Sequence, residues 1–197
     1  MSQLVIVDTG CANLASVKFA LQRLQQQPLL SKDPQVIQAA ERIILPGVGS
    51  AQAAMQSIQQ AELVDCLTSL NQPTLGICLG MQLLSAYSDE GEQSCLNVIP
   101  TTINAFSDNG LPLPHMGWNQ LQKLNHPVFN GIDEGAYVYY VHGFQAPLSQ
   151  FTVAQSEYGQ AFSAAIAKDN FIGLQFHPER SALVGATILQ NFLEWQR

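Results

Sequence analysis

A chain of 197 residues that is 47% apolar has enough material for one domain with a sizeable core, and its composition shows no sign of disorder. Eight basic against fifteen acidic residues leave a formal charge of −7, which argues against a nucleic-acid backbone as partner. No apolar run reaches the roughly 18 residues of a membrane span and Met1-Ser2-Gln3-Leu4-Val5-Ile6-Val7-Asp8 lacks a basic leader, so neither membrane nor secretion is expected and the location is expected to be cytoplasmic.

In chain order, residues 4–7 read as a short apolar strand, 13–25 as a helix, 42–45 as a second strand and 51–70 as a helix with apolar positions at helical spacing. Residues 73–77 read as a buried strand running into a helix over 81–87. This alternation predicts an α/β domain whose mostly parallel sheet is covered by helices on both faces, with ligands beyond the strands' carboxyl ends. Three turns meet that edge: Asp8-Thr9-Gly10, Pro46-Gly47-Val48-Gly49 and Gly76-Ile77-Cys78-Leu79-Gly80. From about residue 88 to 169 the chain becomes β-rich, with turn signals at Asn109-Gly110 and Asn130-Gly131. Residues 137–141, 151–154 and 171–176 have strand composition, and 181–195 reads as a closing helix with Ser181 as its cap. Neither a repeat nor a linker divides the chain, so residues 1–197 are expected to form a single domain with a β-rich extension in the second half.

Only 12% of residues are charged, and polar helix faces use glutamine instead (Gln22, Gln25, Gln26, Gln56, Gln59, Gln60), a neutral surface that suits a docking partner. Cys11, Cys66, Cys78 and Cys95 form neither a CxxC pair nor a zinc pattern, so free thiols without metal or cofactor are expected.

Cys78 stands between Gly76 and Gly80 where a strand meets a helix. Such a turn crowds the residues two before and two after the thiol, projects the sulfur from the sheet edge and sets the first helical N–H groups beside it. A free thiol is only a few per cent ionised at neutral pH, so a base must complete the activation; without one, Cys78 is a small buried hydrophobe. His177 ends an apolar strand and precedes Pro178-Glu179, and in extended geometry the Glu179 carboxylate would face the same way and orient the imidazole. Pro46-Gly47-Val48-Gly49 opens the helix at Ala51, so its backbone N–H groups could join that of Leu79 in an oxyanion hole. No glycine-lysine-serine/threonine ending makes it a phosphate loop.

Leu45-Pro46-Gly47-Val48-Gly49, Gly76-Ile77-Cys78-Leu79-Gly80-Met81-Gln82 and Gln175-Phe176-His177-Pro178-Glu179, in this order, resemble the triad-type (class I) glutamine amidotransferases. Within that family, Asp8 to Val17, Pro114-His115-Met116-Gly117-Trp118-Asn119 and Tyr140-Val141-His142 are similar to the glutaminase subunits of imidazole glycerol phosphate synthases, a likeness running from Val5 to the final helix. The resemblance implies a flavodoxin-like three-layer fold and a triad of Cys78, His177 and Glu179. It also implies an oxyanion hole from the N–H groups of Val48, Gly49 and Leu79, and glutamine contacts from Gln82, Gly49, Gly143 and Phe144. Ammonia would pass to a separate cyclase, a β/α barrel bound as a heterodimer, with Asn13, Met116, Trp118 and Asn119 on the partner face.

Many relatives carry serine and tyrosine where this chain has Gly143-Phe144, so a hydroxyl contact to glutamine is lost and backbone contacts remain. Ala12 replaces a common glycine. His115 and His142 are expected to be structural or interfacial, and His126 a solvent-facing loop residue. The alternatives are a glutaminase serving the synthases of anthranilate, pyridoxal phosphate or guanylate, and a non-catalytic flavodoxin-like binding module.

Overall fold

A computed structural model describes residues 3–10, 14–108 and 110–196. Asn13, Cys11, Ala12 and Asn109 therefore lie outside the described residues. The first half runs β1 (Leu4–Val7), α1 (Leu14–Arg23), β2 (Leu29–Ser31), α2 (Pro34–Gln38), β3 (Arg42–Gly47), α3 (Ala51–Gln60), α4 (Val64–Thr68), β4 (Thr74–Cys78) and α5 (Leu79–Leu84). The second half adds the strands β5 (Tyr87–Ser88), β6 (Gln93–Ser94), β7 (Thr102–Ala105), β8 (His115–Gln120), β9 (Tyr137–His142) and β10 (Phe144–Gln145). β11 (Thr152–Glu157), β12 (Ala161–Lys168), β13 (Phe171–Leu174) and α6 (Ala182–Glu194) complete it.

The main sheet has the order β11-β12-β13-β4-β3-β1-β2, parallel from β13 to β2 and antiparallel at the β11-β12-β13 end. Its central strands are buried along their whole length because both faces are covered, which is why they read as unbroken apolar runs. On one face Leu4, Ile6, Ile44, Leu75 and Ile77 pack with α1 and α6 through Leu21, Ile188 and Phe192. On the other, Val5, Val7, Ile43 and Leu45 pack with α2 to α5 through Ile37, Met55, Ile58, Leu67 and Met81. A four-stranded sheet (β10-β7-β5-β6) and the β8-β9 ribbon form the extension.

Expected helix 13–25 ends at Arg23 and expected strand 171–176 at Leu174, and two further helices and one cap depart from the sequence expectation. The helix over 51–70 is two helices. Glu62 adopts φ 55°, the Leu63 N–H donates to the Ile58 carbonyl and that of Glu62 to Gln59, a 6→1 and 5→2 pair that closes α3 without glycine. Buried Ile58 and Leu63 cover this closure, and the cost of a left-handed glutamate is offset there. The helix over 81–87 instead starts at Leu79 and ends at Leu84, since the last carbonyls of α5 accept N–H groups from Leu96, Val98 and Ile99, and Tyr87 enters β5. At α6, Ser181 occupies the cap position, but its hydroxyl donates to the His177 carbonyl (2.6 Å) and accepts the Tyr139 N–H (3.0 Å) instead of capping the helix.

Two further corrections concern composition and a histidine. β12, an alternation of small residues, and the exposed edge strand β2 were not expected from composition. His126 is not a free loop residue: it packs edge-on against Trp195, accepts the Val128 N–H and is half-buried, and burial lowers its pKa to about 4.

At the carboxyl edge, Gly47 of β3 stands opposite Cys78 of β4, and Gly173 of β13 opposite Gly76. A β-carbon on Gly80 would overlap the carbonyl oxygen of Leu45. Substituting Gly80→Ala should therefore cost about 3 kcal/mol or more, read as a lowered unfolding midpoint, whereas Gly143→Ala, where nothing lies within 4 Å of the added carbon, should leave that midpoint within about 0.5 kcal/mol of wild type.

Candidate active site

Cys78 ends β4 and immediately precedes α5, with φ 52° and ψ −107°. A non-glycine residue rarely holds such angles, and strained backbone of this kind is the strand-to-helix elbow that lifts a nucleophile out of a sheet. The flanking glycines make it possible. A β-carbon on Gly76 would stand 2.7 Å from the Gly80 carbonyl and 2.8 Å from the Met81 nitrogen. The sulfur is buried, 3.8 Å from the Val141 carbonyl oxygen and 3.9 Å from Gln175 Nε2.

His177 follows β13 and is tied down at both backbone groups: its N–H donates to the Tyr139 carbonyl (2.9 Å) and its carbonyl accepts the Ser181 hydroxyl. Its Nδ1–H donates to Glu179 Oε1 at 2.9 Å, the single ion pair among the described residues. The pairing expected between residues 177 and 179 is present, but not through extended spacing. Pro178–Arg180 form a 3-10 turn that swings the carboxylate back under the ring. Burial works against a charged imidazole here, yet the Cys78 sulfur and the Glu179 carboxylate outweigh it and raise the His177 pKa to about 10.

These groups border a cavity of about 290 Å³. Val48, Gly49, Leu79, Gln82, Gly143 and Phe144, all expected at the site, line it together with Cys78 and His177. Glu179 stands behind the imidazole, out of the cavity. Gln82 is buried and its Oε1 lacks a hydrogen-bond partner. Gly47 and Gly49 differ in freedom: a β-carbon on Gly47 would press on the Leu79 side chain at 2.9 Å, while Gly49 has φ 102° and open space around it.

Sequence reasoning missed Glu90, Val141, Arg180 and Gln175. Glu90 lines the cavity and its Oε2 accepts the first N–H of α3, from Ala51, at 3.0 Å; burial raises its carboxyl pKa. It lies in Ser88-Asp89-Glu90-Gly91, where no periodicity signals a function, and only its acidity next to a turn could have marked it. Arg180 lines the mouth, its guanidinium 4.9 Å from the centre of the Tyr139 ring. Of the residues expected on a partner face, Met116 and Trp118 are 62% and 52% exposed on the outer side of β8. Asn119 instead turns inward, where its Nδ2 donates to the Glu157 carbonyl.

A family profile described as glutamine amidotransferase class-I matches residues 6–195. The imidazole glycerol phosphate synthase subunit HisH of Shewanella loihica is 54% identical over 200 residues, covering 96% of this chain and 89% of that protein. The subunit of the same name from Photorhabdus laumondii is 52% identical over 199 residues, covering 98% and 99%. Among solved structures, PurLQS from Thermotoga maritima superposes with a TM-score of 0.72 at 21% identity, covering 98% of this chain and 99% of that one. A glutamine amidotransferase from the same organism gives 0.65 at 17% identity, covering 98% and 84%. These structures share the fold.

The His177 pKa carries a stability consequence. A histidine raised from its unfolded value near 6.5 to about 10 stabilises the fold fully below pH ~6.5, and this contribution is lost as pH rises through about 10. The ring resonances of His177 should accordingly titrate near 10 by NMR and shift toward neutral pH in Glu179→Gln; a wild-type midpoint near 6.5 would contradict the assignment.

Proposed function

This chain belongs to the class-I glutamine amidotransferases, and we propose that within the family it is the glutaminase subunit of an imidazole glycerol phosphate synthase, releasing ammonia from glutamine through a cysteine thioester. The observation that carries the chemistry is the strained, glycine-flanked Cys78 sharing one cavity with a carboxylate-held His177.

In this reading the Cys78 thiolate attacks the side-chain amide carbon of glutamine, and the carbonyl π pair moves onto oxygen. Backbone N–H groups of Leu79 and of the Val48-Gly49 segment receive that oxyanion; one such donor is worth about 3–4 kcal/mol of barrier. His177, an imidazolium at rest, gives its proton to the departing nitrogen as the C–N bond breaks, so ammonia leaves and a γ-glutamyl thioester remains. Water then adds to the thioester as His177 takes one of its protons, and the C–S bond breaks. Glutamate, whose new carboxyl group loses its proton to solvent, and the thiolate–imidazolium pair result. Glu179 holds Nδ1–H throughout, fixing the ring and stabilising its charge.

Gln82 and Glu90 suit the amino-acid end of the substrate, the first as a neutral hydrogen-bonding group and the second as a partner for the ammonium. With Gly143-Phe144 in place of a hydroxyl pair, that wall offers its backbone. In the Gly47 to Gly49 loop Gly49 has open space around its α-carbon, which favours a turn of the Val48–Gly49 peptide that would set or withdraw an oxyanion donor.

The partner is a second polypeptide of the synthase, which we take to be a β/α-barrel cyclase forming a heterodimer in the cytoplasm. The exposed Met116 and Trp118, with Tyr137 53% exposed on the paired strand, give β8-β9 the aromatic and methionine character of a binding surface. No helix among the described residues is long and apolar enough to cross a membrane.

A glutaminase assay of the purified chain should show weak turnover that rises when the cyclase and its nucleotide ligand are added. Cys78→Ala should abolish both turnover and covalent capture of a glutamine analogue. Turnover surviving in Cys78→Ala would remove the nucleophile assignment, and no rise with the cyclase would remove the synthase assignment.

A further inference from the structure

Two buried imidazoles lie outside the triad: His115 on β8 and His142 on β9, directly opposite each other in the ribbon. His142 Nδ1 is 2.7 Å from the Phe144 carbonyl oxygen. A carbonyl only accepts, so Nδ1 carries the proton and Nε2 is bare. That bare nitrogen is 2.9 Å from His115 Nδ1, which must therefore donate, leaving His115 Nε2 as an acceptor 3.3 Å from Asn119 Nδ2. The orientation of the Asn119 amide is set independently, because Nδ2 also donates to the Glu157 carbonyl and Oδ1 accepts the Gln120 N–H. Every donor and acceptor along this line has a single assignment.

A second proton on either ring would set two N–H groups face to face between buried side chains, although His142 also borders the thiol cavity. Burial accordingly lowers the pKa of His115 to about 4 and that of His142 to about 3. Aromatic walls leave the rings little room to rotate: His115 stacks between Tyr158 at 4.0 Å and Tyr140 at 4.9 Å, and Phe106 and Phe162 each lie 5.2 Å from His142.

The line ends at Phe144, which with Gly143 lines the thiol cavity. Gly143 has open space around its α-carbon and no side chain to hold the segment. We propose that His115, which does not reach the cavity, is a positioning residue for glutamine: through His142 it fixes the carbonyl of Phe144, and so the backbone of the residue whose N–H closes the Gly143-Phe144 peptide at the cavity wall. This rests on the reading of the cavity as the glutamine site.

Glutaminase kinetics of the complex with the cyclase, carrying wild-type chain, His115→Phe or His115→Asn, test it. Phenylalanine keeps a ring between the two tyrosines and removes the donor, whereas asparagine places an amide N–H close to the position of Nδ1. His115→Phe should raise the glutamine KM about tenfold with kcat changed less than about threefold, and His115→Asn should keep KM within about threefold of wild type. An unchanged KM in His115→Phe overturns the proposal, as does an equal rise in both variants, which would mark a packing effect. Nitrogen–proton NMR correlations of the wild-type chain should show both rings protonated at Nδ1. An Nε2–H on either ring overturns the tether even where a variant fails to fold. Failure of the wild-type complex to turn over glutamine would instead remove the glutaminase reading, and the NMR result would then decide the hydrogen-bond line by itself.

Discussion

Helix α5 can begin directly after Cys78 only because Gly80 lies against the carbonyl of Leu45 on the neighbouring strand. Any side chain at that point would push the helix away from β3, and the turn at Cys78 would open. With the helix seated, the elbow has one solution: Gly76 lies under Gly80, Met81 packs on Gly173 of β13, and Cys78 is driven into its positive-φ conformation. The strain is local, and the packing of two hydrophobic layers around it holds it in place. The position of Cys78 is thus decided by the close contacts of α5 with three adjacent strands, β3, β4 and β13, rather than by any hydrogen bond of its own.

The same buried region holds three histidines with opposite electrostatic fates. His177 faces a carboxylate and a sulfur and stays charged, whereas His115 and His142 face a carbonyl, an amide and each other, and stay neutral. Burial disfavours charge on all three, so the sign of the outcome follows from partner chemistry alone. Keeping the second pair neutral also spares the imidazolium of His177 a like charge nearby, since His142 and His177 repel when both are protonated. The His177 charge thus meets neutral imidazoles on the β8-β9 side, while Glu179 balances it from behind.

Much of this was legible in the sequence. Short apolar runs separated by helical periodicity pointed to the doubly covered parallel sheet, and Cys78 was identifiable because it sits where a strand ends; His177 was expected at a strand end too, but β13 stops at Leu174 and His177 and Glu179 follow it in a turn. What could not be read are features set by the meeting of remote segments. Nothing local to residues 51–70 says that Glu62 will accept a left-handed conformation, because the compensation comes from burying Leu63 on Ile58. Nothing in 81–87 says that the helix stops at Leu84, because its carbonyls are claimed by residues 96–99. Glu90 escaped for the same reason: its role depends on a helix start 39 positions away in the chain. The spacing of His177 and Glu179 pointed to the correct pair through the wrong geometry, since proline forced a 3-10 turn where extended backbone was expected.

Glu90 stands at a junction between architecture and recognition. Its carboxylate accepts the first N–H of α3, the helix that the Gly47 to Gly49 loop leads into, while also bordering the cavity. In the glutaminase reading proposed above, the substrate ammonium would share this carboxylate with the helix, so that occupation of the pocket and the position of the Gly47 to Gly49 loop become thermodynamically linked. A ligand without an amine would leave Glu90 wholly with α3 and fill the pocket without altering the loop. Discrimination between an amino acid and a simple amide would then be expressed in the posture of the Gly47 to Gly49 loop as well as in affinity.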